Sequence, residues 1–251
     1  IRGLLNTDFV GESDTETLLH AIHELGLIET LNMVHGMFAF SYYSKILDEV
    51  ILVRDINGEK PLYYKASDSQ LFFASQLNPI LDLSTDIHIN RLALAQFLRY
   101  GYVIEPESIV DGVKKVRSGH YLRYSVKHSK IIEERCYRKS RKLNEAKGDF
   151  KIALRRSIEE QFISDKPLGL MLSGGMDSSL LAALASKSKV DISCFTAGFK
   201  GFTFDESSKA KKVAAELNLK HIVKNIDEKN IIELVAKNVR ISDEPFSDPS
   251  I

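Results

Sequence analysis

The sequence predicts two successive folding units of different class: a β-rich, α-flanked (α+β) part, then an α/β part built on a parallel sheet. Three observations predict this. Residues 36–75 hold short β-rich runs separated by turn signals. After residue 150, strand-like runs alternate with helical stretches of about 10–15 residues, the pattern of a parallel sheet. The chain has 251 residues, which at about 150 per domain allows roughly 1.7 domains. The boundary is expected near residue 140, dividing the chain into 1–140 and 141–251.

In the first part, residues 14–27 (DTETLLHAIHELGL) place Leu18, Leu19, Ile22, Leu25 and Leu27 at helical spacing. Ser13 precedes the helix as its cap, and Glu16 three residues later completes a capping box. Residues 36–43, 49–55, 61–66 and 71–75 read as strands of an antiparallel sheet, with Asn57-Gly58 and Asp68-Ser69 as turns. A helix follows over 90–99, capped by Asn90. Two further strands, 120–126 and 130–137, are joined near 127–130. Residues 138–149 are polar and charged, a linker or the exposed start of a helix.

The second part opens with a helix over 151–163 and a short buried strand over 167–172. A helix over 178–187, a strand over 191–199, a helix over 206–217 capped by Asp205, a strand over 221–226 and a helix over 227–238 follow. There is no internal repeat and no low-complexity segment.

Composition narrows the function. With 34 basic and 34 acidic side chains, no global basic field favours nucleic acid, and no nucleic-acid partner is expected. No apolar run approaches the roughly 18 residues that span a bilayer, so no membrane association is expected. Two cysteines, Cys136 and Cys194, make no disulfide framework and fit unpaired, buried thiols in a reducing, cytoplasmic setting. The seven histidines show no metal-ligand spacing, and structural or solvent roles are expected for most of them.

The strongest motif is Leu172-Ser173-Gly174-Gly175-Met176-Asp177-Ser178-Ser179, set between a strand and a helix. Adjacent glycines let backbone N–H groups converge on one point. The helix start adds free N–H groups and a positive dipole end, and the serines add hydroxyl donors. The result suits a phosphate or pyrophosphate. Asp177 makes sense beside phosphates if a Mg²⁺ ion bridges it to their oxygens. No lysine follows the glycines, so this is not a Walker A loop. The signature is similar to that of the pyrophosphate-loop (PP-loop) ATP pyrophosphatases, which implies ATP as substrate. Ala197-Gly198, ending the next strand, would let an adenine ring lie against the backbone.

Further segments extend the resemblance. In order they are Ser13-Asp14-Thr15-Glu16, residues 36–40 (GMFAF), Arg54-Asp55, residues 58–64 (GEKPLYY), 73–75 (FAS), 101–103 (GYV), the SGGMDSS loop, 204–207 (FDES) and 243–250 (DEPFSDPS). From about residue 12 onward this order resembles the glutamine-hydrolysing asparagine synthetase family, asparagine synthase B type. The resemblance implies an N-terminal-nucleophile glutaminase, an α-β-β-α sandwich, followed by a PP-loop synthetase domain. It implies glutamine as ammonia donor, an internal ammonia tunnel, and ATP with Mg²⁺ adenylating the side-chain carboxylate of aspartate. Ammonia then displaces AMP to give asparagine, AMP and pyrophosphate.

By the same resemblance, Asp14 binds the substrate glutamine through its α-amino group. Ser173, Gly174, Gly175, Asp177 and Ser178 cradle the pyrophosphate, and the Leu172 and Ala197 backbones meet the nucleotide. The 54–64 run is expected to shape the glutaminase sheet, and 243–250 to line the synthetase site. The family's nucleophile is a cysteine at mature position 1; here that residue is Ile1. His35 stands where the family has Asn, and the second nucleotide loop does not follow residue 250. The expected reading is therefore a fragment, incomplete in both domains and unable to hydrolyse glutamine. Other readings stay open: an amidotransferase or cyclase acting on another carboxylate (a sugar acid or a β-lactam precursor), a glutaminase-dead nucleotide-binding regulatory module, and a homodimeric assembly.

Overall fold

The computed structural model describes residues 1–67, 69–84, 86–137, 148–188, 190–199 and 201–247, with backbone only at 228–231 and 238–240. The boundary near 140, most of the 138–149 stretch, Asp68 and residues 248–250 lie outside the described residues. The chain forms two compact units, one of Ile1–Ser140 with Val239–Ile251 and one of Arg141–Asn238.

The first unit begins with α1 (Asp14–Leu25), where the Ser13 hydroxyl accepts from Thr15 N–H at 3.1 Å. The other half of the expected capping box does not form. The Glu16 carboxylate instead accepts from Val10 N–H at 2.8 Å and Gly11 N–H at 2.9 Å, clasping the preceding segment to the helix. Glu24 does the same for Asn6 N–H at 3.0 Å and for the Thr7 hydroxyl. Gly26, at φ 83°, ends α1, and the chain re-enters a helix as α2 (Leu27–Met33). The apolar stripe is thus shorter than expected: Leu27 belongs to α2 and Leu19 is exposed.

The backbone N–H donors hold both clasping carboxyls below the usual carboxylate range. A lowered folded pKa contributes stability that is present above the unfolded pKa and lost as pH falls through the folded value. The Asn6, Val10 and Gly11 amides are therefore expected to lose protection from hydrogen exchange as pH falls below about 4. Unchanged protection at pH 2 would contradict this.

The strands of this unit are β1 (Ala39–Ser44), β2 (Glu49–Arg54), β3 (Tyr63–Ala66), β4 (Leu71–Ala74), β5 (Lys114–Lys115), β6 (His120–Ser125) and β7 (Lys130–Cys136). All pair antiparallel, in two sheets where the local strand pattern suggested one and the resemblance implied two: β1-β2-β6-β7 and β4-β3-β5. Strand alternation explains why. Leu52 of β2, Leu122 and Tyr124 of β6 and Tyr64 of β3 form one buried cluster with Leu62 and Val116 between the sheets. The next residues along, Ile51, Val53 and Tyr121, face Leu31 of α2. Tyr63 faces Leu77 and Ile80 at the start of α3 (Asn78–Asp82). Each sheet has two apolar faces, so the layers run helix, sheet, sheet, helix.

The Asn57-Gly58 turn therefore carries the chain between sheets rather than closing a hairpin. Arg54 and Asp55, both buried, organise it. The guanidinium donates to the carbonyls of Lys60, Gly58 and Val116 and to Glu105, at 2.6–3.0 Å. The Asp55 carboxylate accepts from the N–H groups of Asn57, Glu59 and Lys60 at 2.9–3.1 Å. These two residues shape the sheets, as expected of the run. α4 (Arg91–Tyr100) begins as predicted, with the Asn90 side-chain oxygen accepting from Leu92 and Ala93 N–H.

The described part of 243–250 bonds to this unit. Asp243 accepts from Leu77 N–H at 3.0 Å, and Glu244 accepts from Ile109 N–H at 3.0 Å and pairs with Lys115. Ser247 N–H donates to the Gly101 carbonyl. The reason is local: Leu77 opens α3 without a side-chain cap, so its N–H needs an outside acceptor. Cys136 is exposed, against the expectation of burial, because the β7 edge of its sheet is largely exposed.

The second unit comprises α5 (Phe150–Glu160), β8 (Leu168–Met171), α6 (Met176–Ala185), β9 (Ile192–Gly198), α7 (Ser207–Glu216), β10 (Lys220–Asn225) and α8 (Glu228–Ile241), whose end passes out of the unit. The sheet is parallel, in the order β10-β9-β8. Leu172, Ala182, Cys194, Ala210 and Ala214 form its core. Small residues on α6 and α7 let the helices approach the strands closely. β8 is less buried than expected: Met171 is exposed, and among the described residues β8 pairs only with β9. Asp205 accepts from Ser207 N–H at 3.0 Å, one position before the assigned cap residue, Glu206.

Candidate functional site

β8 ends at Met171 and α6 begins at Met176, so the Leu172–Gly175 turn lies at the carboxyl end of a parallel strand. That edge is where open α/β sheets bind ligands. Leu172 is anchored on both sides: its N–H donates to the Phe195 carbonyl at 2.8 Å, and its carbonyl accepts from the Thr196 hydroxyl. The expected backbone contact of Leu172 with a nucleotide is thereby limited to the carbonyl's second lone pair.

Gly174 sits at φ +77°, and a Cβ there would lie 2.7 Å from Ala210 N and 2.8 Å from Lys209 C of α7. No residue but glycine fits this approach. Gly175, with an ordinary φ of −74°, has no such constraint. The polar groups of the loop bond one another. Gly175 N–H donates to Ser173 Oγ at 3.2 Å, Ser173 N–H to Ser178 Oγ at 3.3 Å, and the two hydroxyls lie 2.9 Å apart. An anion entering the loop would exchange these internal partners for its own oxygens. Asp177 stands exposed in the first turn of α6.

Ala197 follows Thr196 on β9 and is half-buried, beside the loop through the Thr196–Leu172 bond. Gly198 has a different reason to be small: its Cβ would meet Asn225 Oδ1 at 2.6 Å. The structure thus brings Leu172, Ser173, Gly174, Gly175, Asp177, Ser178 and Ala197 to one end of one sheet. Asp14, in the first unit, is exposed at the first position of α1.

Sequence reading missed Thr196 and His221, whose Nε2 lies 2.8 Å from the Thr196 hydroxyl. A signal existed. Thr196 occupies an inward position in the alternation of Ile192, Cys194 and Gly198, and a buried hydroxyl requires a partner. Burial raises the pKa of Cys194 in the same strand, which fits an inert thiol. Among the described residues, no cluster of three or more His, Cys, Asp or Glu could hold a metal by itself. No helix there is long and apolar enough to cross a membrane.

Residues 2–137 match the family model described as a glutamine amidotransferase domain. The chain belongs to that family. Residues 149–251 match the model for asparagine synthase. The chain is 32% identical over 96% of its length to asparagine synthetase [glutamine-hydrolyzing] 1 of Bacillus subtilis, covering 39% of that protein. It is 29% identical over 97% of its length to a putative asparagine synthetase [glutamine-hydrolyzing] of Mycobacterium tuberculosis, again covering 39% of that protein. A putative asparagine synthetase [glutamine-hydrolyzing] 1 of Methanocaldococcus jannaschii is 30% identical over 95% of this chain and 42% of its own length. The resemblance read from the sequence to glutamine-hydrolysing asparagine synthetases is borne out. This amidotransferase-family chain spans about two fifths of the length of these relatives.

Proposed function

We propose that this chain is part of a glutamine-dependent amidotransferase of asparagine synthetase type. ATP adenylates the side-chain carboxylate of aspartate or a related acceptor. Ammonia from glutamine then displaces AMP, giving the amide, AMP and pyrophosphate. The observation that carries the reading is the Ser173–Ser178 loop at the carboxyl end of β8, beside Ala197 on β9. It follows, in one chain, a unit of the amidotransferase family.

In this reading the first unit is an N-terminal-nucleophile glutaminase, supported by its helix–sheet–sheet–helix layering. Asp14 would pair with the α-ammonium of glutamine, as an exposed carboxylate can. The second unit is a PP-loop domain. Ser173 N–H, Gly175 N–H and the Ser173 and Ser178 hydroxyls would turn from one another to phosphate oxygens. The positive end of α6 would add to their field. The Ala197 backbone would border the adenine.

The donor set fits Mg²⁺ only as a shared ion: Asp177 is a single exposed carboxylate, and Mg²⁺ is commonly held by one or two carboxylates plus substrate phosphates. When bound it would neutralise phosphate charge. Asp177 would hold it, while the loop amides would hold the anion in place.

Calorimetric titration with MgATP tests this reading. The chain is expected to bind weakly, and Asp177→Ala to bind about tenfold more weakly, the loss of one charge-assisted contact of 1.5–3 kcal/mol at its lower end. Equal binding by parent and variant would count against the assignment.

A further inference from the structure

We infer that Thr196 and His221 are positioning residues of the phosphate loop, aiming its first amide through the peptide that joins Leu172 to Ser173. The inference rests on the nucleotide reading of that loop.

Side chains from two strands meet the end of a third here. The Thr196 hydroxyl donates to the Leu172 carbonyl, and His221 Nε2 of β10 lies 2.8 Å from the same hydroxyl. A hydroxyl has one proton. A carbonyl can only accept, so the Thr196 proton goes to Leu172, and His221 must donate from Nε2–H. The imidazole tautomer and the direction of the chain follow from valence alone: His221 to Thr196 to the Leu172 carbonyl. Leu172 is 2% exposed and Thr196 6%, so water competes little for the bond between them, while the His221 ring is half-buried.

The consequence lies in the peptide plane. A trans peptide is flat, with its C=O and the following N–H pointing in opposite directions. Holding the Leu172 carbonyl toward β9 therefore turns Ser173 N–H away from β9. It points into the loop, where Ser178 Oγ receives it at 3.3 Å. Leu172 N–H, bonded to the Phe195 carbonyl, fixes the other end of the residue. The loop's first donor is thus set by two side chains outside the SGGMDSS motif, one of them two strands away in sequence. A valine at 196 would fill the same volume while leaving the carbonyl and the imidazole N–H unpaired.

Two measurements on the full chain test this. Nitrogen-15 spectra of the imidazoles should show His221 as the Nε2–H tautomer. Thr196→Val should speed hydrogen exchange at Ser173 N–H and weaken MgATP binding by roughly tenfold, the weight of about one hydrogen bond. His221→Ala should act in the same direction and more weakly. Thr196→Ser, which keeps the hydroxyl, and His221→Gln, whose amide N–H can replace Nε2–H, should restore affinity and slow exchange. Purely structural damage would not be relieved in that pattern. Parental affinity in both Thr196→Val and His221→Ala, with Asp177→Ala still weakened, would overturn the inference and leave the nucleotide reading standing. If the parent itself fails to bind MgATP, the nucleotide reading falls. Ser173 exchange that is equal in parent and Thr196→Val overturns the positioning role independently of any ligand.

Discussion

Asp55→Ala is expected to destabilise the first unit by about 3–6 kcal/mol, a large share of a typical domain's 5–15 kcal/mol. The Asp55 side chain is 1% exposed as part of its residue and accepts from the N–H groups of Asn57, Glu59 and Lys60. Truncation leaves these three donors without their acceptor, at about 1–2 kcal/mol each, the lower part of the usual range because Asn57, Glu59 and Lys60 lie exposed. The same turn is the crossing from β2 to β3, between the two sheets that enclose Leu52, Leu62 and Tyr64. Asp55→Asn keeps one oxygen for Asn57 and Glu59 and sets an amide against Lys60 N–H, and should cost about half as much. Urea unfolding followed by tyrosine fluorescence checks this; the chain has nine tyrosines and no tryptophan. A loss below about 1 kcal/mol for the alanine variant would mean the turn rehydrates freely.

Gly174→Ala is expected to abolish measurable MgATP binding while Gly175→Ala largely preserves it. At position 174 the φ of +77° costs an L residue about 1–2 kcal/mol. The added Cβ also meets Ala210 N at 2.7 Å and Lys209 C at 2.8 Å, backbone atoms that no rotamer change can move. Overpacking of this kind costs about 1–3 kcal/mol. Together these amount to about 2–5 kcal/mol, or at least about thirtyfold in affinity if the loop relieves the clash by moving. At 175 the nearest outside atom is Ser173 Oγ at 3.3 Å, and alanine keeps the N–H that this hydroxyl accepts. Equal MgATP affinities for the two alanine variants would show that the cradle does not depend on the close approach of α7.

The two predictions differ in how visible their residues were. The SGGMDSS run between a β pattern and an α pattern was legible because the chemistry is contiguous: glycines, serines and the start of α6 are neighbours in sequence. The switch from period-two runs to strand–helix alternation was legible for the same reason, and the strands fall close to where it puts them. The Ser13 cap was read correctly, yet the partner of Glu16 was not. A capping box and a clasp on the preceding segment use the same residue types, and only the path of the chain before α1 chooses between them. Asn57-Gly58 was read as a turn without any indication of which sheet the chain enters next. Both faces of β2 and β3 are apolar, so alternation alone could not distinguish one sheet from two stacked ones.

By itself, the sequence determined where the elements lie, the change of class between the two parts, the glycine- and serine-rich turn between β8 and α6, and the family. All of these depend on residues close together in the chain or on an ordered series of short motifs. Only the tertiary structure decided that Gly174 must be glycine because α7 crosses it, that Asp243 and Glu244 bond to the first unit, and that His221 reaches Leu172 through Thr196. Each of these contacts joins residues from 24 to 166 positions apart or packs one backbone on another. Hydrogen bonds and steric exclusion act over a few ångströms of space, and a sequence does not record which distant residues come that close.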